Sequence, residues 1–289
     1  MNKPTWLKKR LPKEADYENV RTLLKKSRLH TVCQEANCPN LWECFSRNTA
    51  TFLIMGDRCT RNCRFCAIAH GPPSPLNPRE PIRVAEAVET LQLRYVVITS
   101  VTRDDLADGG ADFFARTVYE IKKRVPEILV EILVPDFQGV IEAVRTIVEV
   151  RPDAVSHNME TVARLYADVR PEAGYRRSLD LLRRVKSCDP TIYTKSGLML
   201  GLGESDEEIL ETLQDLLEAG CSLLTLGQYL QPTPQHLAVQ RFVSPETFDK
   251  WREIALEMGF AGAAAGPFVR SSYQARELYQ AVTSIEVSI

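Results

Sequence analysis

The sequence predicts an α/β protein built on parallel strands, curled part of the way into a barrel: a partial (β/α)6 barrel with N- and C-terminal extensions. Three observations predict it. Short apolar, β-branched runs recur along the chain, amphipathic stretches of helical period lie between them, and the two textures alternate about six times. Strand then helix, repeated, is the pattern of parallel strands joined by right-handed crossovers. Six units fall short of the eight that close a barrel, so an open or partial barrel fits better than a doubly wound sheet, though the pattern alone leaves both open.

The elements follow in order. The strand runs are "TATFLIM" from Thr49, "RYVVITS" from Arg94, "ILVEILV" from Ile128, "DAVSHN" from Asp153, "IYTKSGLML" from Ile192 and "SLLTLGQY" from Ser222. Each has the length and composition of a buried strand. The helical stretches are "VAEAVETLQL", "FFARTVYEIKKRV", "VIEAVRTIVEV", "RRSLDLLRRVKS" and "EEILETLQDLLEAG". Residues 49–240 thus form the barrel, residues 1–48 an N-terminal extension and residues 241–289 a C-terminal one. Ligands of such folds gather at the carboxyl ends of the strands. There the sequence places a cysteine triplet after the first strand, then "TRDDLADGG", "HNMET", "GLGE" and "QPTPQ" after later ones.

Composition sets limits. Net charge is −2, with no basic excess to suggest nucleic acid. No apolar segment is long enough for a membrane span. "MNKPTWLKKRLPKE" lacks the apolar region of a secretory signal and the Ser/Arg richness of a transit peptide. Eight cysteines without a signal point to a reducing, cytoplasmic setting, where clustered thiols bind metal or do chemistry rather than pair. Basic residues gather near the start (Lys3, Lys8, Lys9, Arg10, Lys13, Arg21, Lys25, Lys26, Arg28). They read either as a solvated helix face or as a docking surface for an acidic partner.

"GDRCTRNCRFCAI" places Cys59, Cys63 and Cys66 within eight residues. A Cys63/Cys66 redox pair leaves Cys59 unexplained, and Ala67 stands where haem attachment needs His. Zinc would need a fourth ligand, and His70 is available for it. An iron–sulfur cluster with three thiolates accounts for all three cysteines and leaves one iron open to a small molecule. Upstream, "HTVCQEANCPNLWECF" carries Cys33, Cys38 and Cys44. Pro39 pushes Cys38 out of helical geometry, so this too reads as a ligand loop. A zinc knuckle or scattered buried thiols are the alternatives.

C-x3-C-x-Φ-C, with Phe65 as the aromatic, resembles the signature of the radical S-adenosylmethionine superfamily. The second triplet, with "KPTWLK", "CPNLWECF", "VTRDDLADGGA", "HNMETV", "KSGLMLGLGE", "QYLQPT" and "GPFVRSSY" in order, is similar to the lipoyl synthase family within it. The resemblance implies a TIM-like partial barrel and two [4Fe–4S] clusters. One, on Cys59, Cys63 and Cys66, cleaves S-adenosyl-L-methionine to a 5′-deoxyadenosyl radical. The other, on Cys33, Cys38 and Cys44, is consumed as the sulfur donor. It implies insertion of two sulfur atoms, at C6 and C8 of a protein-bound octanoyl-lysine.

The implied partners are octanoylated lipoyl carrier proteins (the glycine-cleavage H protein, dehydrogenase E2 subunits), a low-potential electron donor and an iron–sulfur carrier protein that rebuilds the second cluster. The enzyme is expected as a monomer, because its substrate is itself a folded domain. The family's fourth ligand to the second cluster is a serine of an Arg-Ser-Ser-Tyr motif, here Arg270, Ser271, Ser272 and Tyr273, with either serine available. From sequence alone that pair would read as a helix cap before "YQARELYQ".

The resemblance also points to cofactor contacts. Gly109 and Gly110 stand where the superfamily has Gly-Gly-Glu, but Ala111 replaces the glutamate, leaving backbone or Asp104, Asp105 and Asp108. Phe65, Asn158, Glu160 and Lys195 complete the set, with Arg176 and Glu204 as further polar candidates. A glycine turn, a helix N-cap with a first-turn carboxylate, and plain surface charge are the structural alternatives. His157, Cys188 and Cys221 read as structural. "QYLQPTPQH", with two prolines, reads as a loop at the barrel mouth, where the resemblance implies that it lines the tunnel for the acyl chain. Biotin synthase would share the first triplet and the barrel but not the second triplet or the Arg-Ser-Ser-Tyr tail. A non-catalytic zinc-stabilised binding protein is the rival of another class.

Overall fold

The computed structural model describes residues 3–7, 15–46 and 50–286. They fall into two compact units, an N-terminal one holding most of the chain up to Val155 and a C-terminal one from Ser156 onward, which also takes Cys63–Phe65 and the first residues of the chain.

In the N-terminal unit α1 (Ala15–Ser27) leads to β1 (His30–Thr31), α2 (Val32–Glu35) and α3 (Leu41–Ser46). Then come β2 (Thr51–Ile54), the short β3 (Arg58–Cys59) and β4 (Ala69–His70), α4 (Glu80–Thr90), β5 (Tyr95–Ser100), α5 (Ala111–Arg124), β6 (Leu129–Leu133) and α6 (Ile141–Glu149). β2, β5 and β6 are parallel neighbours, with Thr51 opposite Val97 and Tyr95 opposite Leu129. Phe52, Ile54, Ile98, Val130 and Ile132 are fully buried, as a parallel sheet covered on both faces requires. Phe114, Val118 and Ile121 give α5 its buried stripe.

β7 (Ala154–Ser156) carries the chain from one unit to the other. The C-terminal unit then runs through α7 (Tyr166–Val169), α8 (Tyr175–Cys188), β8 (Tyr193–Leu200), α9 (Asp206–Glu218), β9 (Leu223–Gln228), α10 (Pro245–Met258), β10 (Gly262–Gly266) and α11 (Ala275–Glu286). β8, β9 and β10 are parallel, with Lys195 opposite Leu223 and Gly262 opposite the same leucine. α9 opens with a Ser205–Glu208 capping box, and α10 with a Ser244 cap, Pro245 in its first turn and Gly259 in the left-handed conformation at its end.

All six predicted strands form. The structure adds three features. β1 pairs antiparallel with β2 through His30–Leu53 and Thr31–Phe52. Residues 245–266, read above as part of an extension, supply another helix and parallel strand, so the alternation runs one step further than the sequence reading. The segment around the upstream cysteines is not a plain loop: Cys33 lies in α2, Cys44 in α3 and Cys38 in the turn between them. Lys8, Lys9, Arg10 and Lys13 lie outside the described residues. Arg21, Lys25, Lys26 and Arg28 are exposed, while Val20 and Leu24 of α1 are buried. Among the described residues no helix is long and apolar enough to cross a membrane.

Candidate active site

Backbone hydrogen bonds fold the upstream triplet on itself. Cys38 N donates to Cys33 O at 3.1 Å, Leu41 N to Cys38 O at 3.2 Å and Cys44 N to Asn40 O at 2.9 Å. Thr31 caps α2 through its hydroxyl. Cys44 is thereby brought into electrostatic range of both Cys33 and Cys38. Cys44 hydrogen-bonds to the Cys33 sulfur, which brings the Cys33 thiol down to about 7. The same bond, burial and the charges of Cys33, Cys38 and Glu43 push Cys44 up. Three thiols carried on one short folded segment, two of them paired, are the soft donor type that an iron–sulfur centre uses. Among the described residues no three His, Cys, Asp or Glu side chains stand close enough together to hold a metal ion.

The downstream triplet lies on a loop closed at its neck. β3 and β4 pair in parallel, Arg58 opposite Ala69 and Cys59 opposite His70, and Gly71 N donates to Cys59 O at 3.0 Å. Thr60 ties the loop to the end of β5: its N–H and its hydroxyl both reach Thr102 O at 3.0 Å, and its hydroxyl accepts Asp104 N at 3.1 Å. Arg61, buried, forms a fork on Asp104 (2.6 and 2.9 Å) and bonds Asp136 at 2.6 Å. Thr102 N donates to the Cys59 sulfur at 3.3 Å. Three cysteine sulfurs, one of them already under a backbone N–H, are a donor set that fits a cluster. Cys63–Phe65 belongs to the C-terminal unit, where Arg64 N bonds Val169 O and Leu237 N bonds Arg64 O. Cys59, Cys63, Phe65 and Cys66 are half-buried.

Gly109 and Gly110 have φ of +60° and +91°, the left-handed region that favours glycine. Their open faces meet protein: a Cβ on Gly109 would lie 3.0 Å from the Phe137 ring, and one on Gly110 2.4 Å from the Met55 sulfur. Asp108 caps α5 by accepting Gly110 N and Asp112 N, Asp105 pairs with Arg103, and Asp104 holds Arg61. Each of the three aspartates therefore already has a structural duty. A cleft of about 290 Å³ at the ends of β5 and β6 is lined by Asp104, Asp105, Leu106, Gly109, Phe137 and Gln138, among others.

In the C-terminal unit the "HNMET" segment is extended and bridged to β8, with Glu160 N on Gly197 O and Met199 N on Glu160 O. It is not a helix start, which corrects the N-cap alternative. Asn158 Nδ2 donates to Glu160 Oε1 at 2.9 Å. Glu160 is half-buried as a residue, yet its carboxyl lies deep enough that burial pushes it up, against the pull of Arg170, Asn158 and Arg270. Asn158 Oδ1 is a buried acceptor without a donor. Such an atom fits the ammonium or a hydroxyl of S-adenosylmethionine. Gly197 packs beside it: a Cβ there would meet Thr225 Oγ1 at 2.5 Å and Asn158 Oδ1 at 3.2 Å. Lys195 is buried in β8 and its carbonyl accepts His157 N.

Arg176 is exposed on α8. Glu204 accepts Gly201 N and Leu202 N at 2.7 and 2.9 Å, the local capping role. Cys188, exposed, ends α8; Cys221, buried, has its thiol pushed up to about 12 by desolvation. In "QYLQPTPQH", Tyr229 is buried and its hydroxyl donates to Leu237 O at 2.7 Å.

Arg270, Ser271, Ser272 and Tyr273 are half-buried, closed by Tyr273 N on Arg270 O at 2.9 Å. α11 starts only at Ala275, so neither serine occupies its N-cap position. Gly227 of β9 lets this segment approach: a Cβ there would lie 2.1 Å from Val269 O and 3.1 Å from the Arg270 guanidinium.

Sequence reading missed Arg61, Asp136 and Arg170. Arg170 is buried and holds Asn158 O at 2.7 Å, Met159 O at 3.3 Å and the Tyr166 hydroxyl at 2.9 Å. A lone charged residue carries no signal that would set it apart from surface.

Residues 53–216 match the model of the Radical SAM superfamily. A lipoyl synthase of Desulfotalea psychrophila is 58% identical over 280 residues, covering 97% of this chain and 94% of the relative. Lipoyl synthases of Caldanaerobacter subterraneus (56%, covering 95% and 96%) and Caldicellulosiruptor bescii (51%, covering 99% and 98%) are similar throughout. Among solved structures, HydG, a maturase of the [FeFe]-hydrogenase, matches with a TM-score of 0.59 at 16% identity, covering 93% of this chain and 72% of its own. Methylornithine synthase (PylB) matches at 0.52 and 15%, covering 78% and 67%. These two likenesses speak for the fold alone, the partial, TIM-like parallel barrel. With radical S-adenosylmethionine signature, second cysteine triplet and full-length similarity together, the chain belongs to the lipoyl synthase family of the radical S-adenosylmethionine superfamily.

Proposed function

We propose that this chain inserts two sulfur atoms, at C6 and C8, into the octanoyl-lysine of a lipoyl carrier protein. The observation that carries the reading is the second set of thiols: Cys33, Cys38 and Cys44, on a segment folded on itself by backbone hydrogen bonds, in a chain whose signature already supplies Cys59, Cys63 and Cys66. When bound, a four-iron cluster on the downstream triplet supplies the electron that splits S-adenosylmethionine into methionine and a carbon radical, and one on the upstream triplet, completed by Ser271 or Ser272, supplies the sulfur.

The chain's own residues bind and orient. Asn158 Oδ1 takes a donor of the cofactor, with Glu160 held beside it by the Asn158 amide and by Arg170. Phe65 and Lys195 are further residues this reading names for the cofactor, and Gly109 and Gly110 are named for it through their backbone only, since their open faces meet Phe137 and Met55. Arg270 and Tyr273 frame the serine turn. By function the chain divides into residues 1–48, which carry the upstream cysteines, the barrel 49–240, and the serine-bearing 241–289. The glycine-cleavage H protein and dehydrogenase E2 subunits are the carriers this reading names, with a low-potential reductant and an iron–sulfur carrier as auxiliaries to a cytoplasmic monomer.

Anaerobic reconstitution tests it. The protein is loaded with iron and sulfide, then given S-adenosylmethionine, dithionite and an octanoyl-lysine peptide. Two iron–sulfur clusters per chain, 5′-deoxyadenosine and a peptide heavier by two sulfurs are expected. Deoxyadenosine without sulfur insertion would reject the substrate, and zinc with neither product would reject the chemistry.

A further inference from the structure

Arg61 is the central residue of the tripeptide between Cys59 and Cys63, and its side chain is 4% exposed. It is met by Asp136, whose side chain is fully buried, and by Asp104, which is 24% exposed. Burying one guanidinium and two carboxylates carries a heavy desolvation cost, offset only when geometry and hydrogen bonding are good. Here they are good: a fork on Asp104 and a 2.6 Å bond to Asp136. A loop that needed only to turn could leave its arginine in water.

The clasp fastens the middle of the cysteine loop to the chain just beyond two parallel strands, β5 through Asp104 and β6 through Asp136. Thr60 adds three hydrogen bonds to the same stretch, Thr102–Asp104. The local result is that the Cys59 sulfur sits under the Thr102 N–H. Hydrogen bonds to ligand sulfurs and nearby net charge both tune the reduction potential of an iron–sulfur centre. One cation against two anions leaves the clasp with one net negative charge.

We propose that Arg61, Asp104 and Asp136 form a positioning clasp for the radical-generating cluster. It holds Cys59 against the Thr102 N–H, and its net negative charge keeps the potential of that cluster low. This rests on Cys59, Cys63 and Cys66 being the cluster's ligands.

The test uses the full chain with Cys33, Cys38 and Cys44 changed to Ala, so that one cluster is observed. Asp104→Asn removes a negative charge and leaves the Arg61–Asp136 pair in place; an EPR-monitored redox titration should find the midpoint shifted positive. Arg61→Lys keeps the charge but loses the planar fork. It should change the g values of the reduced cluster and speed iron loss to a chelator several-fold. An unmoved Asp104→Asn midpoint, or unchanged g values and iron loss in Arg61→Lys, would overturn the clasp. If Arg61→Lys fails to fold by circular dichroism, the Asp104→Asn midpoint decides alone. Cys59→Ser in the same background must abolish the wild-type cluster signal. A persisting signal would overturn the ligand assignment and the clasp with it, whereas loss of the signal beside an unmoved Asp104→Asn midpoint would overturn the clasp only.

Discussion

Asn158 gives its amide N–H to the Glu160 carboxylate at 2.9 Å and keeps its own carbonyl oxygen buried and without a donor. Burial dominates at Glu160 and raises its carboxyl above the ordinary range. The folded state therefore holds that proton more tightly than the unfolded chain does. The stability Glu160 contributes is present at acid pH and is lost as pH rises through its raised value. Glu160→Gln retains an acceptor for Asn158 and cannot ionise. Its melting temperature should match wild type near about pH 4, where free carboxyls titrate, and exceed it increasingly toward neutrality. A difference that does not vary with pH would contradict this.

Arg170 anchors the Asn158–Met159 backbone and opposes the Glu160 charge. Arg170→Met leaves the Asn158 and Met159 carbonyls without their buried donor, a change that costs about 1–3 kcal/mol. Urea unfolding should show the loss, and equilibrium dialysis should show weakened S-adenosylmethionine binding at urea-free, native conditions. Retained stability together with retained binding would remove Arg170 from the site.

Gly227 has space behind it only for the Val269 carbonyl. Gly227→Ala overpacks β9 against the serine-bearing segment and should cost roughly 1–3 kcal/mol. The sharper readout is hydrogen exchange, which should quicken in residues 269–274 while β8 keeps its protection. Unchanged exchange there would mean that the glycine does not set the segment's position.

Changing Cys33, Cys38 and Cys44 together to Ala should halve bound iron. It should leave cleavage of S-adenosylmethionine to 5′-deoxyadenosine and abolish sulfur insertion, as followed by iron assay and mass spectrometry. Sulfur insertion surviving the triple change would assign the donor elsewhere.

The strands and helices were legible because each carries a repeating pattern long enough to read. α8 shows it: Leu179, Leu182 and Val185 recur at helical spacing, and all are buried. β10 was hidden because "GAAAG" has neither branching nor alternation. Its small residues are chosen by proximity, since a Cβ on Gly262 would lie 2.8 Å from Val282 and 3.1 Å from Leu278 of α11. α2 and α3, of four and six residues, are too short for any period to show. The cysteines announced themselves by type and spacing, because few chemistries use three thiols so close together. Arg61 and Arg170 did not, because a single arginine reads as solvated surface until the fold places carboxylates or carbonyls around it. The role of the serine turn came from resemblance, and its separation from the helix cap came from the start of α11.

The small ladder between Arg58–Cys59 and Ala69–His70 has a consequence for the order of events during maturation. Drawing the ends of a loop together has an entropic cost that grows with the logarithm of its length. Here hydrogen bonds at the neck meet that cost as the polypeptide folds. Thiols tethered on so short a ring encounter one another at the high local concentration of groups on a single chelator. Incoming iron therefore meets three thiols confined to one short closed loop rather than three side chains scattered along the sequence.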